Sequence, residues 1–235
     1  MKKIFLLLLI SLITLGCVQQ QKAEAVSFTT GDGFAIHGNY YEGSEKGLIL
    51  LHMLGSSKES WNGLVPALSK LNYTVLAVDM RGHGESVVQN GAKITWNDFS
   101  EDDFASMKKD VAAAKAFLES RGKTRFAVIG ASIGANIALN YSAGDDDIRT
   151  VILLSPGFNY RGVDAQETIK NYTSPVLFIT TEGDAYSADS SKYMYFYAPG
   201  KKALSLFNGN AHGTDMLTIT NVDKVIVRWL FENFS

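Results

Sequence analysis

From residue 26 to residue 234, short apolar runs alternate with stretches whose apolar residues recur at helical spacing, and this alternation constrains the fold more than any other feature. Residues 47–52, 74–78, 125–129, 150–154, 176–180 and 203–207 are too short for helices. They are mostly apolar, as strands buried on both faces are. Residues 58–71, 103–120, 133–142, 163–172, 188–197 and 221–234 read as helices. In the first of these Trp61, Leu64, Val65, Leu68 and Leu71 fall at helical spacing. Strands alternating with helices of this length build βαβ units, so the expected class is α/β, with a mainly parallel central sheet and helices on both faces. Residues 26–30 and 34–41 flank the turn signal Gly31-Asp32-Gly33 and read as a hairpin, an antiparallel addition at the N-terminal edge. No repeat or linker follows residue 25, so residues 26–235 read as one domain.

Composition closes off several function classes. With 46% hydrophobic and 20% charged residues, the chain is not disordered, collagen-like or a coiled coil. The 22 Lys+Arg against 24 Asp+Glu leave −2, without the basic excess of a nucleic-acid binder, and no nucleic-acid partner is expected. Cys17 is the single cysteine, which excludes an intrachain disulfide framework and a cysteine zinc site. His37, His52, His83 and His212 stand in no metal-ligand spacing, so neither metal nor cofactor is expected. Nothing in the sequence sets an oligomeric state.

The N-terminus reads as an address. Met1-Lys2-Lys3 precedes an apolar run over residues 4–13, shorter than the ~20 residues of a spanning helix, the pattern of a secretory signal peptide. Thr14-Leu15-Gly16-Cys17 resembles the lipoprotein signal of bacteria and archaea. That resemblance implies removal of residues 1–16, a lipid on Cys17, a polar tether over residues 17–25, and an extracytoplasmic, membrane-anchored protein. The alternative is an uncleaved anchor.

The chemistry is sought where such sheets keep it, just beyond the carboxyl ends of strands. Gly130-Ala131-Ser132-Ile133-Gly134 follows one strand and opens a helix. This is G-x-S-x-G, in which a sharp turn lifts the serine into a strained, exposed position while glycines let backbone approach. A dinucleotide-binding loop would need glycine at position 132; a plain strand–helix turn remains the other alternative. Asp184 follows the strand at 176–180, and His212 follows the one at 203–207. A serine is a weak nucleophile unaided, so His212 would take its proton while Asp184 holds the imidazole tautomer. Taken singly, Asp184 and His212 are equally ordinary loop residues. Their order, Ser…Asp…His, each after a strand, makes them a set.

Over roughly residues 26–234 the chain resembles the α/β-hydrolase family. Leu48-Ile49-Leu50-Leu51-His52-Met53-Leu54-Gly55 resembles its strand-3 loop, with Met53 in place of a usual glycine. The resemblance implies that backbone N–H groups of Leu54 and Ile133 form the oxyanion hole, with Met53 as the alternative to Leu54. Asp79-Met80-Arg81-Gly82-His83-Gly84-Glu85-Ser86 is very like a bracing stretch of the family, which leaves His83 outside the catalytic set and His52 as a supporting residue. Ser132 separates the chain from family members that attack with Asp. Residues 155–162 alone stand where many members insert a cap, so no large cap is expected and the site should be open. Phe158 and Tyr160 read as packing aromatics, with acyl-pocket lining as the alternative, and Arg161 as a solvated surface residue. The expected activity is a serine hydrolase acting on a small-molecule carboxylic ester through an acyl-enzyme. The alternatives are a thioesterase or small-peptide hydrolase, and a non-catalytic ligand-binding lipoprotein.

Overall fold

A computed structural model describes residues 22–234. In chain order the strands are β1 (Glu24–Thr29), β2 (Phe34–Tyr41), β3 (Lys46–Leu51), β4 (Thr74–Val78), β5 (Val88–Gln89), β6 (Ala92–Lys93), β7 (Arg125–Ala131), β8 (Ile148–Leu154), β9 (Asn159–Tyr160), β10 (Val163–Asp164), β11 (Val176–Thr181) and β12 (Lys202–Phe207). The helices are α1 (Val65–Lys70), α2 (Glu101–Ala105), α3 (Lys108–Ser120), α4 (Ile133–Ser142), α5 (Ala185–Tyr197) and α6 (Val222–Asn233). The main sheet runs β12-β11-β8-β7-β3-β4-β2-β5-β6, with β1 on β2, while β9 and β10 form a separate hairpin. From β12 to β4 all pairings are parallel. β2 is antiparallel to β4, and β1 to β2, so the expected N-terminal hairpin is present. Its first strand begins at Glu24, inside the stretch read as tether. Residues 1–16, read from sequence as a signal peptide, and Cys17 lie outside the described residues. Among the described residues no helix is long and apolar enough to cross a membrane.

The continuous apolar runs of the inner strands are explained by two-sided burial, whereas β12, outermost in the sheet, has no buried residue. Along β3 successive side chains alternate between faces. Ile49 and Leu51 pack with Val111, Ala114 and Leu118 of α3 and Ile137 of α4. Leu48 and Leu50 pack with Leu68 of α1 and Ile226 and Leu230 of α6. Each such side chain, fully withdrawn from water, contributes about 1.5–3 kcal/mol. The helices thus cover both faces, as the alternation requires.

Several element expectations are corrected. The helix expected over residues 58–71 is a 3₁₀ turn, Lys58–Trp61, followed by α1. Gly63 weakens the joint, and Pro66, lacking an N–H, is tolerated only in the first turn that it occupies. The helix expected over 103–120 is divided into α2, which starts two residues earlier under a Ser100–Asp103 capping box, and α3. Residues 163–172 are not one helix but β10 followed by a 3₁₀ turn at Thr168–Asn171. Asn136 Nδ2 donates to the Val163 carbonyl and Asn140 Nδ2 to that of Asp164, so side chains of α4 capture the carbonyls a helix would use. The hairpins β5–β6 and β9–β10 were not expected; their turns place Asn90-Gly91 and Arg161-Gly162 at positive φ.

The two ends of the strands carry different structures. The amino ends meet the C-termini of helices: Phe234, just past α6, stacks on Tyr73, just before β4. At this end also Arg121, which caps α3, pairs with Glu24 at the start of β1. The carboxyl ends carry the loops described next.

Candidate active site

Ser132 sits between β7 and α4 at φ 55, ψ −121, a conformation that costs a non-glycine residue about 1–3 kcal/mol. The neighbouring glycines make that turn possible. A Cβ at Gly130 would collide with the Gly134 carbonyl, and one at Gly134 with the backbone of Leu51 and His52. The Ser132 N–H is anchored on the Leu154 carbonyl at 2.8 Å, tying the elbow to β8.

Asp184 and His212 arrive from β11 and β12. Their loops are stitched together by three hydrogen bonds. Glu182 N–H donates to Phe207 O (2.9 Å), Gly183 N–H to Gly209 O (2.7 Å), and Thr181 Oγ1 to Ala211 O (2.9 Å). The result is a relay. His212 Nδ1 lies 2.6 Å from Asp184 Oδ2, and His212 Nε2 lies 2.7 Å from Ser132 Oγ. A carboxylate only accepts, so Nδ1 carries the proton in the neutral ring, and Nε2 is left as the acceptor for the serine hydroxyl. The serine is 7% exposed, whereas the imidazole is 36% exposed, so the relay opens to solvent on the histidine side.

The loop after β3 is set by a buried histidine. Met80 N–H donates to His52 Nε2 at 3.0 Å, so the His52 proton is on Nδ1, which donates to the Met53 carbonyl at 2.8 Å. Burial, with His83 beside it, holds His52 down at about 4 and therefore neutral. Ser56 N–H donates to the same Met53 carbonyl. In a planar trans peptide the next N–H, that of Leu54, points the opposite way. Among the described residues neither the Leu54 nor the Ile133 N–H has an acceptor. The Ile133 N–H opens α4, where the helix dipole adds positive potential. Met53, in the usual glycine position, lays its thioether where a side chain at Gly213 would stand, joining this loop to the His212 loop.

The stretch 79–86 braces the site from beneath. Asp79 accepts from Lys58 N and Nζ and from Glu85 N; Arg81 binds the buried Asp110 and the partly exposed Asp32. His83 is buried, stacked on Trp96, with Nδ1 on the Arg81 carbonyl, and takes no part in the relay. Arg161 lies over the Phe104 ring rather than at the site. Tyr160, read from sequence as packing, stands edge-on to His212 with ring centroids 6.3 Å apart; its hydroxyl meets Ser187 Oγ at 3.1 Å.

Two residues with no motif to mark them complete the arrangement. Ser155 precedes a proline yet is held at φ 48, and its Oγ accepts from Gly213 N–H at 3.0 Å, fixing the residue after His212. Asn136 of α4 is fully buried and binds Gly157 through both its amide oxygen and nitrogen, and Val163 through its nitrogen, which positions the hairpin bearing Tyr160. No periodicity or spacing marks either residue.

A family model described as the alpha/beta hydrolase fold matches residues 47–169, just over half of the chain. That match includes Ser132 but ends before Asp184 and His212, which rest on their geometry. No curated protein sequence matches. Among solved structures, the Pyrococcus furiosus esterase Pf2001 superposes with a TM-score of 0.75 at 20% identity, over 92% of this chain and 94% of that one. The dienelactone hydrolase of Anabaena variabilis gives 0.74 at 16% identity, over 92% and 99%. Est1E from Butyrivibrio proteoclasticus, solved with ferulic acid bound, gives 0.75 at 17% identity, over 89% and 99%. At these identities the likeness is one of fold.

Proposed function

The chain belongs to the alpha/beta hydrolase family, and from that premise we propose that it is a serine hydrolase cleaving carboxylic esters through an acyl-enzyme intermediate. The observation that carries the reading is the unbroken line Ser132 Oγ–His212–Asp184, headed by a serine in a strained turn. In the acylation step Ser132 Oγ adds to the ester carbonyl while His212 Nε2 takes its proton. The imidazolium so formed faces the Asp184 carboxylate. The oxyanion meets the N–H groups of Leu54 and Ile133, each such donor being worth on the order of 10²–10³ in rate. Collapse expels the alcohol, protonated by His212. Water then repeats the sequence on the acyl-serine and releases the acid.

The same reading holds the protein outside the cytoplasm, with residues 1–16 removed and a lipid on Cys17; its support is the sequence of residues 1–17. A fluorophosphonate probe tests the activity. Wild-type protein should be labelled at Ser132 and Ser132→Ala should not. An unlabelled wild type would overturn the reading in favour of a non-catalytic binder. Matched oxyester, thioester and anilide substrates then rank the bond cleaved, with the oxyester expected fastest.

A further inference from the structure

We propose that the amino-end edge of the sheet, opposite the active site, is a docking face for a phospholipid bilayer; the proposal rests on the lipid anchor at Cys17. The five residue steps from Cys17 to Lys22 span at most ~18 Å. Ala23 is already packed on the domain, against the cluster that holds Leu68, Tyr73, Leu230 and Phe234. A lipid on Cys17 therefore keeps Lys22, the residue before Ala23, within about 18 Å of the headgroups.

The edge displays large apolar side chains. Phe231 and Phe196, at 75% and 74%, are the most exposed of the exposed large apolar side chains. Both lie near the C-termini of helices that return to the amino ends of strands. α6 ends at Phe234 beside Tyr73, and α5 runs into β12, where Lys202 Nζ donates to the Phe196 carbonyl. Leu71, just past α1, and Tyr197, the last residue of α5, are exposed as well, at 41% and 46%. Between α1 and α6 a groove of about 580 Å³ is lined by Pro66, Leu71, Val227 and Phe231 together with Lys70, Lys224, Asp223 and Arg228, the last paired with Glu232 at 2.9 Å. Aromatic rings with lysine and arginine beside them are the side chains that settle at a membrane–water interface: the ring enters the headgroup boundary while the cation stays wet near lipid phosphates. A bilayer is the occupant this combination fits, because the leash brings one within reach.

The docked orientation has a consequence for substrate. The seven residues of β7 separate this edge from Ser132, roughly 20 Å at 3.3 Å per residue. The site then faces water, and its substrates arrive dissolved rather than by lateral movement in the membrane.

The test uses the full acylated chain in vesicles of phosphatidylethanolamine and phosphatidylglycerol, some with brominated acyl chains as quenchers. Phe231→Trp and Phe196→Trp place reporters on the edge; Tyr186→Trp places one near Asp184. With the wild-type tryptophan signal subtracted, the two edge reporters should lose half or more of their emission to the brominated lipid and the Tyr186→Trp reporter none. Unquenched edge reporters on a chain that is acylated and floats with the vesicles overturn the docking face and leave the anchor standing. A chain whose N-terminal peptide carries no acyl mass, or a Cys17→Ala chain that floats equally well, overturns the anchor, and the docking face with it.

Discussion

The relay depends on single atoms, so its members should fail together. Ser132→Ala, Asp184→Asn and His212→Ala should each lower kcat steeply, by roughly 10³-fold or more for Ser132 and His212, and Ser132→Ala/His212→Ala should be no worse than either single variant, as groups acting as a unit behave. Steady-state rates on one ester decide it; losses that multiply would show that the residues act separately. His52 makes a different prediction. Its proton affinity is lowered by burial, to about 4 from an ordinary 6.5. Between these values the unfolded chain binds more protons than the folded one, so this contribution is full above pH 6.5 and is lost as pH falls toward 4. Between pH 7 and pH 5 the loss is about 2 kcal/mol. Burial raises Asp110 to about 6, which works in the opposite direction, so the difference between proteins is the clean quantity. Urea unfolding of wild type and His52→Gln at both pH values should show a shallower pH dependence in the variant. Equal slopes would mean that His52 is not the neutral, buried group its hydrogen bonds describe.

At the scale of elements, the hairpin β9–β10 takes three of its hydrogen bonds from one side chain, Asn136, at its two ends. Asn136→Ala would leave Gly157 N–H, Gly157 C=O and Val163 C=O without their buried partner. At 1–3 kcal/mol for each orphaned group the variant should be less stable by about 3 kcal/mol or more, read by urea midpoint. KM should rise as well, because Tyr160 loses its seat beside His212. A loss under 1 kcal/mol would mean that water replaces the amide freely. This element also shows where sequence is readable. Parallel strands such as β3 and β4 are buried on both faces and announce themselves as apolar runs. Ser132, Asp184 and His212 announce themselves by following such strands. The stretch 163–172 carries helical spacing but is governed by Asn136 and Asn140, whose bonds to it span 27 and 24 residues of sequence, and no local pattern contains that information. The hairpin β5–β6 was legible in principle, since Asn90-Gly91 is a strong two-residue turn signal. Ser155 was not, since its role depends on where Gly213 comes to rest.

At the scale of the molecule, the segment between β8 and β11 contains only the β9–β10 hairpin and a 3₁₀ turn at Thr168–Asn171. That is too little to make a lid that opens at an oil surface. An uncovered site gains little of the ~0.8 kcal/mol per methylene that burial of a long acyl chain would supply. Esters of roughly two to eight acyl carbons should therefore be preferred, on the pocket-burial argument, and the rate should pass smoothly through the solubility limit of the substrate. A p-nitrophenyl ester series, each run across that limit, checks both; a jump at the limit would reveal a cover. The strand order carries one more consequence, in time rather than space. The parallel run starts with β3 near the middle of the sheet and grows to one side through β7, β8, β11 and β12, so the strand that delivers His212 is the last synthesised and the outermost of that run. The nucleophile is made some eighty residues before its base. On the proposed function, a chain still being synthesised carries Ser132 unactivated, and hydrolysis would begin only when the final strand docks, which would make completion of the fold itself the arming step.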